Sequence, residues 1–157
     1  MIINVKKYGP EVIFIGISLL IGFIGSRITQ GGMPAYQTVQ KPWFTPPAIV
    51  FPIVWTVLFI LMGYGMARVW KARFGNLPLS LITFFAQLLM NLFWNVWFFT
   101  QQWYLFAFIW LAGLLFLVIV MTVSFSRADL LAGKLQYPYC VWLSFAGVLN
   151  LAIYLLN

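Results

Sequence analysis

The sequence contains no histidine, a single cysteine and only two acidic residues, Glu11 and Asp129. Without histidine there is neither an imidazole metal ligand nor an imidazole proton shuttle, so no metal site is expected. The two carboxylates stand at the ends of different hydrophobic stretches. That placement disfavours a paired-carboxylate site and leaves no intramembrane acid for a proton or sodium relay. Cys140 has no partner for an internal disulfide and reads as a small packing residue. A glycine-rich phosphate loop is also missing. These absences weigh against conventional hydrolases, metalloenzymes and ion-driven transporters.

What the chain has in abundance is apolar surface. Of its residues 64% are hydrophobic and 7% charged, with a mean hydropathy of +0.98, whereas soluble domains carry about 25% charged residues. A bilayer must therefore be the solvent. A hydrocarbon core about 30 Å thick needs roughly 20 apolar residues in a helix. Five stretches fit: Glu11–Ile28, Ile49–Val69, Leu79–Phe99, Tyr104–Phe125 and Pro138–Leu156. The expected fold is an all-α integral membrane protein, one five-transmembrane-helix bundle over residues 1–157, with a first loop at 30–47. The first stretch follows Lys6 and Lys7 like a signal peptide. It is longer than a typical signal core and Gly25-Ser26-Arg27 matches a cleavage site only in part, so it is taken as a retained helix.

Alternating spans place Lys6, Lys7, Arg68, Lys71, Arg73, Arg127 and Lys134 on one side and leave Arg27 and Lys41 on the other. By the positive-inside rule the amino terminus is cytoplasmic if this is an inner membrane; a bacterial membrane is the expected location, though the charge pattern does not itself decide it. The net charge of +7 then reads as topology and contact with anionic lipid. No basic stripe on a soluble face suggests nucleic acid.

Aromatic residues make up 20% of the chain, eight of them tryptophan. Trp43, Trp70 and Trp103 fall near span ends, as interfacial belts do. Trp55, Trp94, Trp97, Trp110 and Trp142 lie deeper, where each indole N–H needs a partner. In the third span Gln87, Asn91 and Asn95 recur every four residues, with Trp94 and Phe98 alongside, and so share one helical stripe. Two readings stand: amides bonding across packed helices, or the wall of a small-molecule pocket. The same alternatives hold for Trp142, Ala146 and Asn150 on the last span. The first loop, with Tyr36 and Lys41-Pro42-Trp43-Phe44-Thr45-Pro46-Pro47, is too aromatic for a plain linker and is expected to cap the bundle as a lid. Small residues form ridges at Ser18, Gly22 and Ser26 and at Gly63 and Ala67, suited to close helix approach within a subunit or between two.

These motifs, in order, resemble the TspO/MBR family, the tryptophan-rich sensory and translocator proteins also called peripheral benzodiazepine receptors. The likeness rests on Tyr36, Lys41-Pro42 and Pro46-Pro47, then Phe51-Pro52, Trp55-Thr56 and Met62-Gly63. It continues through Gln87-Leu88, Asn91 and Trp94 to Pro138-Tyr139, Trp142, Phe145-Ala146 and Leu149-Asn150. The resemblance implies a membrane receptor, often a homodimer, that binds protoporphyrin IX, related tetrapyrroles and benzodiazepine-site ligands in a pocket under the first loop. It implies no resident cofactor. Tyr36, Pro47, Trp55, Asn91, Trp142 and Ala146 match the family's ligand-binding positions, and Gln87 and Trp94 join them from the polar stripe. Some members degrade protoporphyrin with light and oxygen, which would give Trp55 and Trp142 a catalytic role; tetrapyrrole or lipid translocation is the other alternative. The cholesterol-recognition stretch is incomplete, since Leu149 and Tyr154 are followed by no basic residue. Sterol binding is thus expected to be weak or incidental.

Overall fold

The computed structural model describes residues 5–73 and 77–157, and all regular structure among them is helical. Five helices are long and apolar enough to cross a membrane. The chain is an integral membrane protein built on the expected plan. Helix α1 spans Val5–Thr38, α2 Val50–Ala72, α3 Leu77–Asn95, α4 Tyr104–Ala128, α5 Leu130–Lys134 and α6 Tyr137–Leu156. A π-helical turn, Val96–Thr100, continues α3 without a break.

The first helix differs most from expectation. Its 34 residues extend about 50 Å at 1.5 Å each, well beyond a hydrocarbon core of about 30 Å. Gly31-Gly32-Met33-Pro34 and Tyr36, expected in the loop, are helical, so the connection shrinks to residues 39–49. The glycines serve close approach here. A side chain on Gly32 would collide with the Phe99 carbonyl in the π-helical turn. Pro34 removes only one backbone donor from a helix held by that contact. The remaining link keeps Pro42, Pro46 and Pro47, which hold it out of helix until α2 begins. Helix α5 was not foreseen. Asp129 caps it, its carboxylate accepting the Ala132 N–H at 2.8 Å.

Helix α1 lies along α2, α3 and its π-helical turn pack on α1, α4 covers α3, and α6 lies on α4. Helices α1 and α2 approach each other closely. A Cβ on Gly63 would stand 2.6 Å from the Ile15 Cα, and one on Gly22 would stand 2.6 Å from the Phe59 ring. Ser18 and Gly22 of the first ridge and Gly63 and Ala67 of the second therefore serve packing within the subunit, with Ser18, Gly63 and Ala67 buried, while Ser26 is exposed. The core at the bundle centre is formed by Met62, Met66, Phe84, Leu88, Leu114, Met121 and Phe125. Val12, Phe23, Ile82, Ile109 and Phe116 point outward, as side chains facing lipid do.

One end of the bundle is fastened by charge. Arg68 grips Asp129 with two bonds of 3.0 and 2.8 Å, and Lys71 pairs with Glu11. Both acids of the chain are thus engaged by cations of α2. The Arg68 guanidinium holds the Asp129 carboxyl below the usual carboxylate range, with the Ala132 N–H adding to the effect.

Candidate functional site

The amide stripe of α3 meets α6 through a residue that sequence reasoning left out of the site. The Tyr139 hydroxyl donates to Gln87 Oε1 at 2.7 Å and accepts from Asn91 Nδ2 at 3.2 Å. Gln87 Nε2 in turn approaches Met62 Sδ of α2 at 3.3 Å. All four side chains are buried, so α2, α3 and α6 are tied by a polar network inside an apolar core. Asn95 continues the stripe, donating to the Asn91 carbonyl at 3.0 Å and accepting from Thr29 of α1 at 3.0 Å.

Above this floor stands an aromatic wall. Trp55 of α2 meets Trp142 of α6 edge-to-face with centroids 6.5 Å apart, and it meets Tyr139 at 6.1 Å. Phe51 and Phe145 flank Trp142 at 5.8 and 5.5 Å. Beside these rings an open groove of about 530 Å³ separates α2 from α6, lined by Ile53, Val54, Val57, Leu58, Pro138, Val141, Trp142 and Phe145. Its size falls within the range of small-molecule sites. The Trp142 indole N–H is buried yet has no acceptor among the described residues. An N–H so placed normally finds a partner.

The other deep tryptophans divide. Trp94 donates to Asn150 Oδ1 at 3.2 Å and Trp110 to the Met90 carbonyl at 2.8 Å. Trp97, lying parallel to Trp103 at 5.8 Å, has a buried N–H without an acceptor among the described residues.

The structure brings together Trp55, Gln87, Asn91 and Trp142, with Ala146 buried one turn beyond Trp142 on α6. Trp94 packs against both this group and a second cluster around Phe98, Leu149 and Ile153. Tyr36 belongs to that second cluster. It leans on Phe98 and Phe99 at 5.9 and 5.4 Å, with the Lys41 ammonium 4.5 Å above its ring. Pro47 is exposed in the linker. The linker nonetheless covers the end of α6. Gln40 and Asn157 exchange two bonds of 3.0 and 2.9 Å, and Phe44 lies against Phe145 at 6.4 Å. The signal for Tyr139 was its place three residues before Trp142, one helical turn away on the same face.

Comparison with known proteins identifies the family to which the chain is similar. The TspO/MBR family profile matches residues 14–156. The Tryptophan-rich protein TspO of Chlorobaculum tepidum is 38% identical over 150 residues, 91% of this chain and 92% of that protein. The protein of the same name from Archaeoglobus fulgidus is 38% identical over 160 residues, 98% and 99% of the two chains. The human Translocator protein is 36% identical over 141 residues, 84% of this chain and 80% of its own.

Proposed function

Since the chain belongs to the TspO/MBR family, we propose that it is a membrane receptor for tetrapyrroles such as protoporphyrin IX, taken up between α2 and α6. The observation that carries this reading is the half-buried Trp142 indole, which faces Trp55 beside an apolar groove and whose N–H is buried without an acceptor among the described residues. A flat macrocycle has a π-face to lay against the Trp142 indole, with Trp55 set edge-to-face behind it, and polar edge groups to accept the free N–H. The Gln87–Tyr139–Asn91 network beneath supplies orientation, because few polar groups set into an apolar wall fix a ligand's pose. Phe44 and the 39–49 linker act as the lid. Tyr36 and Pro47 then contribute from the rim and Ala146 from the α6 wall. The same groove accepts hydrophobic ligands of the benzodiazepine-site type.

A titration of protoporphyrin IX against intrinsic tryptophan fluorescence, on protein in lipid, tests this. Saturable quenching that Trp142→Ala weakens, with helicity intact, is the expected result. Non-saturable quenching equal in both proteins would sink the proposal.

The contact between Trp55 and Trp142 favours a second reading, light- and oxygen-dependent degradation of the bound porphyrin. Under illumination, product formed by the wild type and lost in Trp55→Phe distinguishes it from binding alone. We also propose the homodimer that the family implies, formed through a face other than the Gly22 and Gly63 contacts already used between α1 and α2. Crosslinking in lipid that yields only monomer would refute it.

A further inference from the structure

A second groove, of about 440 Å³, opens on the opposite flank of α6, against α4. Its α4 wall is Ile119, Thr122, Val123, Ser126 and Arg127, and Tyr137 and Cys140 of α6 form the other side. The α4 residues follow the spacing of a single helix face, and from Arg127 to Ile119 the wall runs about 12 Å along the axis. Ile119 and Val123 are each 47% exposed and Tyr137 is 55% exposed, so the groove opens outward to where lipid lies. At its mouth is Arg127, at the end of the bundle that also carries Lys71, Arg73 and Lys134.

The charges at this end leave Arg127 without a counterpart. Asp129 is held by Arg68 and by the Ala132 N–H, and Glu11 is held by Lys71. Those two are the only carboxylates in the sequence, and among the described residues Arg127 forms no salt bridge. The hydroxyls along the wall are committed too. Ser126 donates to the Thr122 carbonyl at 2.8 Å and Thr122 to the Val118 carbonyl at 2.7 Å. The donors left at the mouth are the Arg127 guanidinium and the Tyr137 phenol, above an apolar trough.

We infer that the α4–α6 groove is a binding site for one anionic phospholipid, its phosphate held by Arg127 and Tyr137 and an acyl chain lying along Val123 and Ile119. An unpaired guanidinium at the interface attracts an anionic headgroup, and a trough of that length shelters the first part of a chain. A zwitterionic lipid offers the same chains but a smaller electrostatic gain. The site is separate from the Trp55–Trp142 groove and does not depend on tetrapyrrole binding.

The test uses the full chain in nanodiscs of equal parts phosphatidylglycerol and phosphatidylcholine. The protein is released into detergent and its retained lipid is counted by native mass spectrometry. The wild type should keep one phosphatidylglycerol in preference to phosphatidylcholine. Arg127→Gln, an exposed change that breaks no ion pair of the described chain, should reduce that preference about fivefold, the worth of one basic group near an anionic surface. Ile119→Trp, which fills the trough and keeps every charge, should reduce it as well. Equal retention in wild type and Arg127→Gln overturns the site. A preference lost in Arg127→Gln but kept in Ile119→Trp also overturns it, since the charge would then act without the groove.

Discussion

Helix α2 has two very different neighbours. Toward α1 it presents Gly63, and the two backbones come so close that no side chain fits between them. Toward α6 it presents Phe51 and Trp55, and the helices stand apart with large rings and an open groove between them. Without a hydrophobic force between helices in lipid, small residues make a joint by van der Waals contact and fix it in one geometry. Aromatic residues keep backbones apart and leave faces that another flat molecule can cover. The closed joint is the scaffold and the open one is the proposed site.

The largest expected effect falls on the closed joint. Gly63→Val forces a side chain into the Ile15 backbone and should destabilise the fold by about 3 kcal/mol, at the upper end for overpacking. A thermal melt in detergent checks it, and an unchanged melting temperature would dissolve the contrast. On the open side, Trp142→Ala loses its ring contacts with Phe51, Trp55 and Phe145 and should lower stability by about 1–2 kcal/mol, less than Gly63→Val, while weakening protoporphyrin binding by about 2 kcal/mol, roughly 30-fold in Kd. Tyr139→Phe sits beneath the open joint and leaves the Gln87 oxygen and Asn91 amide without their shared partner. It should cost about 1–2 kcal/mol of stability and loosen ligand selectivity, seen as a smaller difference between porphyrin affinities.

The charged end predicts smaller changes. Because Arg68 lowers the Asp129 carboxyl in the folded chain, that pair contributes stability that is fully present above about pH 4, the usual unfolded value. It is lost as pH falls through the depressed folded value. Asp129→Asn should remove about 1 kcal/mol at neutral pH and flatten the acid limb of the stability curve. Glu11→Gln, breaking a pair whose lysine is 40% exposed, should change stability by less than about 0.5 kcal/mol.

The membrane class and the five spans were legible because hydropathy and length alone decide what crosses a bilayer. The stripe of Gln87, Asn91 and Asn95 was legible because amides stand out in apolar helices. Tyr139 was not, since an aromatic residue in such a span looks like packing until the facing helix is known. The end of α1 was misread for a related reason. Glycine and proline in Gly31-Gly32-Met33-Pro34 signal a break locally, yet Gly32 is there to meet the Phe99 backbone, a contact set by tertiary packing. The π-helical turn at Val96–Thr100 had no sequence signal that the local rules read.

The most direct test bridges the open joint. Ile53→Cys and Val141→Cys, introduced with Cys140→Ser and linked by a short bismaleimide, span the groove between α2 and α6. Saturable porphyrin binding should be present before linking and lost after it, while a monofunctional maleimide of small size leaves most of it. If the bridged protein binds protoporphyrin IX as tightly as the unbridged one, the ligand does not enter between α2 and α6, and the central claim is wrong.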